Sequence, residues 1–202
     1  MAYGDYPDLT SVKKVLVIKL RQIGDVLLTG PVFSTLKNHL PQAEIDAFIY
    51  SDSVPILEGH PAITTIFSYD RNWKRLSFCK RLALEWRCLM RLRRQKYDLV
   101  INLTEGDRGA IVAKFSGALI RVGFNPKQRV LFGKLYTHIA KHCASLRHTV
   151  ERNLDAIRRI GIFPTPRDKE LFLPIAPEAL QKNARANQGA VSSHSSYFAL
   201  AF

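Results

Sequence analysis

Residues 14–37 read KVLVIKLRQIGDVLLTGPVFSTLK, and this stretch decides the fold class. Its first part, VLVIKL at 15–20, is a short run of mostly β-branched and apolar residues, which is typical of a strand covered on both faces. From Asp25 to about Asn38 the apolar residues recur at helical spacing. Pro31 lies inside that pattern, where it removes a hydrogen bond, so we expect a kinked helix.

The same alternation of strand and helix patterns continues along the chain. Apolar or alternating runs predict five more strands, at 44–50, 64–69, 98–104, 119–124 and 134–140. Helical spacing predicts further helices at 54–60, 72–97, 109–118 and 148–162. Strands that alternate with helices in this way indicate an α/β fold with a doubly wound, mainly parallel, Rossmann-like sheet.

The longest helix pattern covers 72–97 and is strongly amphipathic. Its apolar residues follow a 3.6-residue period, while Lys and Arg fill the other side around a single acid, Glu85. We therefore expect the apolar series to pack on the sheet. That series is Leu76, Cys79, Leu82, Ala83, Trp86, Leu89 and Met90. Trp73 and Trp86 are both interpreted as core or packing residues.

Composition leaves the class of partner open. The 202 residues are 47% hydrophobic, enough for a core, and carry 30 Lys and Arg against 17 Asp and Glu, a formal charge of +13. Such an excess predicts an anionic partner, and nucleic acid, an acidic membrane surface and a phosphorylated substrate all fit. Three widely spaced cysteines suggest neither a disulfide framework nor a zinc site. The sequence contains no signal peptide and no apolar run long enough to span a bilayer, so we expect a cytosolic protein. These features are also compatible with a protein that acts at a membrane surface.

Changes in composition predict three segments. Residues 1–12 are expected to be an N-terminal extension, 13–163 a Rossmann-like domain and 164–202 a linker with the truncated start of another domain. The Pro-rich stretch at 164–177 predicts the linker. The closing YFALAF predicts the truncation, because its six apolar residues cannot bury themselves.

The loop at 21–25, RQIGD, follows the first strand, where parallel sheets bind ligands. It is not a dinucleotide fingerprint, because GxGxxG is absent, and GxxxxGK[ST] occurs nowhere in the chain. Asp25 has two interpretations: an acid favoured at a helix N-terminus, or a general base in a ligand crevice, with Gly24 letting a substrate approach the backbone.

The order of several motifs resembles a known family. A strand, a short loop, "GD", a proline-containing helix and PQAEID (41–46) resemble the opening of the bacterial lipopolysaccharide heptosyltransferases. KYDLVINLTEGDRGA (96–110) and the helix at 148–162 resemble later family segments, and the likeness covers about 13–178. It is similar in particular to the heptosyltransferase III branch of glycosyltransferase family 9.

The resemblance implies the N-terminal domain of a GT-B glycosyltransferase that transfers heptose from ADP-heptose, with inversion, to the inner core of lipopolysaccharide. It implies no metal or other cofactor, and it makes Asp25 the catalytic base that takes a proton from the acceptor hydroxyl. The donor would bind in a second domain that lies beyond residue 202. The chain is therefore expected to be the acceptor half of the enzyme and inactive alone.

The same resemblance gives meaning to the polar residues near the strand ends and to the basic helix. The expected acceptor-binding residues are Arg21, Gly24, Thr104, Asp107 and Arg108, with Arg121 and Arg129 as weaker candidates; Arg108 is otherwise an ordinary loop arginine. The acceptor, lipid A with Kdo and heptose, implies a place at the inner face of the cytoplasmic membrane. The residues expected to face that membrane are Lys74, Arg75, Lys80, Arg81, Arg87, Arg91 and Arg94; otherwise they form a solvated helix face. His138, His142 and His148 are interpreted as structural.

Two alternatives from other classes remain at this stage. A nucleic-acid-binding protein would use the positive charge and the helix at 72–97, although no RNP-type motif, zinc-finger spacing or helix-turn-helix is present. An accessory protein would bind a transferase or the membrane surface without catalysis.

Overall fold

The computed structural model describes residues 6–124, 135–141 and 148–172, and its centre is a parallel sheet. The strands are β1 (Lys14–Lys19), β2 (Glu44–Tyr50), β3 (Thr65–Tyr69), β4 (Leu99–Asn102), β5 (Ile120–Phe124) and β6 (His138–Ala140). They lie in the order β3-β2-β1-β4-β5-β6, and every neighbouring pair is parallel. The predicted doubly wound α/β fold is therefore confirmed.

The helices cover both faces of this sheet. They are α1 (Ile23–Leu27), α2 (Gly30–His39), α3 (Val54–Leu57), α4 (Phe78–Arg94), α5 (Asp107–Phe115) and α6 (Thr149–Arg158). Val15 and Val17 of β1 belong to the core under α1, α2, α3 and α6, whereas Leu16 and Ile18 belong to the core under α4 and α5. Because β1 is buried on both sides, it contains no exposed position after Lys14, as its apolar run predicts.

The helix predicted from Asp25 to Asn38 is two helices. α1 ends at Leu27, and α2 begins at Gly30 with Pro31 in its first turn. Proline has no backbone N–H to donate to the preceding turn, but that loss costs nothing at the start of a helix. The expected kink is therefore a complete break.

The helix predicted at 72–97 differs from the structure in extent and in orientation. A short 3₁₀ helix occupies Arg71–Arg75, and α4 begins only at Phe78. The prediction that the apolar series packs on the sheet is wrong for its first part, since Leu76, Leu82 and Trp86 are exposed. Trp73, in contrast, is half-buried and packs on Tyr69, with 4.7 Å between the ring centroids.

The residues that attach α4 lie mainly in its second half and include only Leu89 of the predicted series. Leu92 is buried, and Cys88 and Leu89 pack against the core beneath α4. Glu85, although charged, also faces the body, where the Tyr69 hydroxyl donates to its Oε1 at 2.7 Å. No helix in the described ranges has the length and apolar content to cross a bilayer.

Candidate active site

The strand order creates a crevice at the carboxyl edge of the sheet. β1 has β2 on one side and β4 on the other. The chain therefore adds β2 and β3 on one side of β1 and then crosses over to add β4, β5 and β6 on the other side. Loops that follow neighbouring strands diverge at such a switch point, and ligands of open parallel sheets bind there. The loops after β1 and β4 therefore form the first place to look for a site.

Asp25 lies at this switch point, in the first turn of α1. Its half-buried carboxylate lines a cavity of about 60 Å³ on the α6 side of the sheet. Within the described ranges, no side chain forms a hydrogen bond or a salt bridge with the Asp25 carboxylate. The full lining is Lys19, Arg21, Asp25, Leu103, Glu105, Phe124, Thr149, Arg152 and Asn153. An acid open to a polar cavity can exchange a proton with a ligand.

Lys19, the last residue of β1, brings a buried cation to the same cavity. Its ammonium donates to Asn153 Oδ1 at 2.9 Å and to the Leu103 carbonyl at 3.2 Å. Burial lowers the pKa of Lys19 to about 8, while the nearby negative charge of Asp25 acts in the opposite direction. At neutral pH the ammonium is therefore still mostly charged, but it can lose its proton in a moderately alkaline solution.

Asn153 of α6 connects the elements around the cavity. Its oxygen accepts from Lys19, and its Nδ2 donates to the Leu28 carbonyl at 2.9 Å. Leu28 lies in the break between α1 and α2, so one buried amide holds the end of β1 and the end of the Asp25 helix. Asn153 thus links α6 to the helix that carries Asp25.

Three further charges form the mouth of the cavity. Glu105, which follows β4, lies between Arg21 and Arg152. Its Oε2 is 3.7 Å from Arg21 Nη2, and its Oε1 accepts a hydrogen bond from Arg152 Nη2 at 2.5 Å. Together with Lys19 and Asp25, the cavity carries three cations and two acids. The excess of positive charge favours an anionic ligand.

The remaining residues of the two loops have structural contacts or open surroundings. Thr104 is buried, and its hydroxyl accepts from the Leu20 amide at 2.7 Å, which joins the end of β1 to the loop after β4. Gly24 is exposed, and a Cβ added there would meet nothing within 4 Å. Packing does not require a glycine at that position.

Asp107 and Arg108 are not brought into the Asp25 cavity. They line a second cavity of about 300 Å³ on the opposite face of the sheet, between α4 and α5. Arg108 lies over the Tyr69 ring at 4.6 Å, with an Nη2 to Glu85 Oε1 distance of 3.7 Å. The walls of this cavity are mainly apolar, with charged groups from Arg81, Glu85, Asp107 and Arg108.

A chain of rings and guanidinium groups joins the two cavities along the carboxyl edge. Arg108 lies over Tyr69, whose ring centroid is 6.0 Å from that of Tyr50. Arg71 lies over Tyr50 at 4.0 Å and donates to the Arg21 carbonyl at 2.9 Å. Arg21 and Arg108 are therefore connected by one chain of contacts, part of it buried at Tyr69, although they belong to different cavities.

The weaker candidate Arg121 and the histidines His138 and His148 make local contacts. Arg121 donates to the carbonyls of Leu135 and Ala118, so its guanidinium stabilises a loop. His148 caps α6 by accepting from the Val150 amide, and His138 contacts the Thr137 hydroxyl at 2.9 Å. Arg129 and His142 lie outside the described residues.

Six of the seven basic residues expected at a membrane surface are exposed: Lys74, Arg75, Lys80, Arg87, Arg91 and Arg94. Arg91 also lies over the Phe67 ring at 4.9 Å. The seventh, Arg81, is half-buried, and its Nε donates to Glu85 Oε1 at 3.1 Å beside the second cavity.

Sequence reasoning missed Lys19, Glu105, Arg152 and Asn153. Two of them carry a recognisable signal, since Lys19 interrupts a buried strand and Asn153 lies within the apolar series of α6, beside Leu154, Ala156 and Ile157. Buried polar residues of this kind need partners and often mark a site. In the described ranges no three His, Cys, Asp or Glu side chains are grouped as metal ligands.

Comparison with known proteins gives consistent similarities. Residues 86–199 match the profile of glycosyltransferase family 9 (heptosyltransferase). Lipopolysaccharide heptosyltransferase 3 of Escherichia coli is 31% identical over 159 residues, which are 78% of this chain and 46% of that protein. Its counterpart in E. coli strain K12 is 34% identical over 145 residues, 71% of this chain and 41% of that protein. The chain thus spans less than half the length of the curated relatives it matches.

Solved structures give the same fold. A glycosyl transferase family 9 protein from Veillonella parvula superposes with a TM-score of 0.64 at 20% identity, covering 90% of this chain and 51% of that one. E. coli heptosyltransferase WaaC, solved with ADP-2-deoxy-2-fluoro heptose, gives 0.65 at 22% identity, covering 75% and 50%. At such identities the likeness concerns the fold alone.

Proposed function

The chain belongs to glycosyltransferase family 9, the heptosyltransferase family, and from this premise we propose that it supplies the acceptor side and the catalytic base of an inverting heptosyl transfer. The donor in this proposal is ADP-heptose, and the acceptor is the inner core of lipopolysaccharide. The observation that carries the proposal is the Asp25 carboxylate, which lines a cationic cavity at the switch point of the sheet.

The proposed chemical step is a single displacement. A hydroxyl oxygen of the acceptor forms a bond to the anomeric carbon of the heptose while the bond from that carbon to the phosphate oxygen of ADP breaks. The hydroxyl proton passes to Asp25, and ADP leaves with the electron pair. A correctly placed base contributes on the order of 10²–10⁴ in rate. Asp25 suits this role because its carboxylate is open to the cavity.

The acceptor is anionic, and the carboxyl edge offers cations on both sides of Asp25. We assign Arg21 to orient the acceptor beside Asp25, and Arg108 to bind a phosphate or carboxylate farther along the edge. The rings of Tyr69 and Tyr50, which meet edge to face, lie between these arginines and help to hold them along the same edge. Asp107 and Thr104 shape the loop after β4, and the exposed Gly24 leaves the backbone open to the acceptor.

ADP-heptose is proposed to bind outside the described residues. The chain covers less than half of its curated relatives, and it contains no GxGxxG or P-loop sequence that would hold a pyrophosphate. Stabilising the charge of the leaving group is a large part of such catalysis. The 202-residue chain is therefore expected not to transfer heptose by itself, and no metal is assigned to the step.

The proposed place of the reaction is the cytoplasmic face of the inner membrane, where a lipid-linked acceptor would lie. The exposed cations of 74–94 would attract the chain to anionic lipid, at about 1 kcal/mol for each residue near the surface.

The base is tested in a chimera. Residues 1–172 are joined to the second half of E. coli lipopolysaccharide heptosyltransferase 3, and transfer from ADP-heptose to a core acceptor is measured. Asp25→Asn is expected to lower kcat about 10²–10⁴-fold with little change in the acceptor KM. The control is Asp52→Asn, which removes an exposed carboxylate paired with Arg71 at the same edge and is expected to retain the rate. An Asp25→Asn chimera as fast as the parent would overturn the assignment, and transfer by the 202-residue chain alone would overturn its inactivity.

A further inference from the structure

One side of α4 that carries large apolar residues is exposed to water. Phe78 is 77% exposed, and Leu82 and Trp86 are each 55% exposed. These residues are four positions apart, so they form one stripe with about one turn between neighbours. Cys79 and Ala83, also exposed, lie beside them. We call these five residues the α4 stripe.

The stripe does not attach α4 to the domain. That attachment comes from Leu92, Cys88 and Leu89, and from Glu85 through the Tyr69 hydroxyl. A surface helix normally turns its apolar side to the core. An apolar side left in water on a helix that is already anchored indicates a surface that binds something.

Cations border the stripe on the solvent side. The helix carries six Lys and Arg and one acid, Glu85. Lys80, Arg87 and Arg94 are exposed and seven residues apart, so they form a line along the helix. Glu85 is turned inward, where Arg81 pairs with it at 3.1 Å. No acid of α4 offsets the outer cations.

We propose that the α4 stripe inserts into the headgroup region of an anionic phospholipid bilayer, with the line of cations bound to lipid phosphates. Helices with an apolar side containing Trp, Phe and Leu and a Lys- and Arg-rich polar side lie in this way in the membrane interface. Tryptophan prefers that depth, because its ring is apolar and its N–H is polar.

Charge favours lipid over a second copy of the chain. Two such faces brought together would place each line of cations near the other, without acids of α4 to compensate. An anionic bilayer supplies negative charge for the cations and an apolar layer for the stripe. The inference rests on the membrane location proposed above but not on heptose transfer. It adds a property that charge alone does not give, which is attachment that persists when salt screens the cations.

The test uses the tryptophans as depth probes. The chain contains two, Trp73 and Trp86, so the Trp73→Phe variant reports on Trp86 alone and Trp86→Phe reports on Trp73 alone. Each is mixed with vesicles of phosphatidylglycerol and phosphatidylcholine. Trp86 emission is expected to shift to shorter wavelength and to be quenched by lipids brominated on the acyl chain. Trp73, which packs on Tyr69, is expected to change little.

A matched pair of leucines separates insertion from general stickiness. Leu82→Ser removes an exposed leucine of the stripe, and Leu119→Ser removes one that is 84% exposed outside α4. Leu82→Ser is expected to weaken vesicle binding about fivefold to tenfold, and Leu119→Ser less than twofold. In about 1 M NaCl, where the Debye length is about 3 Å, the unmodified chain should retain part of its binding.

Several outcomes would overturn insertion. They are unchanged Trp86 emission on vesicles, equal effects of Leu82→Ser and Leu119→Ser, and complete release by salt. A vesicle-independent dimer that Leu82→Ser dissociates would assign the stripe to a second copy instead. Circular dichroism confirms that each variant is folded. Because the readouts need neither donor nor acceptor, insertion can fail while transfer by the chimera succeeds, and the reverse.

Discussion

The ammonium of Lys19 lies 2.9 Å from Oδ1 of Asn153, across 134 positions of sequence. This contact joins the carboxyl end of β1 to α6, and both side chains are buried. Asn153 also donates to the carbonyl of Leu28. The loop that carries Asp25 is therefore supported by a helix from the far end of the domain.

Asn153→Leu is expected to destabilise the chain by about 2–4 kcal/mol, because it leaves a buried ammonium with one acceptor fewer. Denaturation by urea measures the loss. Lys19→Met removes the charge itself, so adding Asn153→Leu to that variant should cost much less than it does in the parent. The control is Lys37→Met, whose half-buried ammonium contacts the Ala43 carbonyl. In the Lys37→Met background, Asn153→Leu should lower the free energy of unfolding as much as it does in the parent. If Asn153→Leu causes the same loss in the Lys19→Met background, the two residues are not coupled.

Lys19 also predicts a dependence of stability on pH. Its pKa is about 8 in the folded chain and 10.5 in the reference state. Between these values the unfolded chain binds more protons, so Lys19 makes the free energy of unfolding rise as the pH increases. Below pH 8 both states hold the proton and the burial cost is fully present.

The size of this effect has an upper limit of about 3.5 kcal/mol, since a difference of one in pKa corresponds to about 1.4 kcal/mol and the two values differ by about 2.5. Other groups titrate in the same range, so the quantity to measure is the difference between the parent and Lys19→Met in urea denaturation from pH 7 to pH 11. As the pH rises, the free energy of unfolding of the parent should increase relative to that of Lys19→Met. A constant difference would show that burial does not disfavour the Lys19 charge.

The fold was predictable from sequence because strands buried on both faces must be apolar almost throughout. EIDAFIY matches β2 residue for residue, and the other strands differ only at their ends. Helix orientation was less accessible. The period of α4 was correct. A period, however, defines an apolar side without stating what that side contacts, and Cys79, Leu82, Ala83 and Trp86 of the predicted series are exposed to water.

The candidate site was predictable only in part. Asp25 could be found because the end of the first strand in a parallel sheet is a known ligand position. Asp107 and Arg108 follow β4 as expected, but α5 turns them to the opposite face of the sheet. Lys19 and Asn153 form a pair only after the whole chain has folded, and no local pattern connects residues so far apart.

Two glycines should respond in opposite ways to alanine. A Cβ on Gly109 of α5 would lie 2.5 Å from Asn102 Oδ1. Asn102 cannot move aside easily, because it accepts from the Thr104 amide and its Nδ2 donates to the Tyr136 hydroxyl. Gly109→Ala should therefore destabilise the chain by about 1–3 kcal/mol or more in urea denaturation.

Gly24→Ala is the matched control for that change. The added methyl would meet nothing within 4 Å, and Gly24 lies inside α1. Stability should therefore stay the same or increase by up to about 1 kcal/mol. If acceptor affinity falls while stability does not, Gly24 matters for ligand approach. Equal stability losses at the two positions would contradict the difference in packing.

His60 predicts a loss of stability in mild acid. Its ring is buried between Phe33 and Phe172, and Nε2 has no hydrogen-bond partner in the described part of the chain. Burial lowers the pKa of His60 below the ordinary value of 6.5. As the pH falls through 6.5, the unfolded chain binds a proton at His60 that the folded chain does not bind. The free energy of unfolding therefore decreases until the pH passes the folded pKa.

His60→Gln should lose less stability than the parent between pH 7 and pH 5 in urea denaturation, whereas His39→Gln, at an exposed position, should follow the parent. Parallel curves for the parent and His60→Gln would show that protonated His60 is tolerated in its buried position.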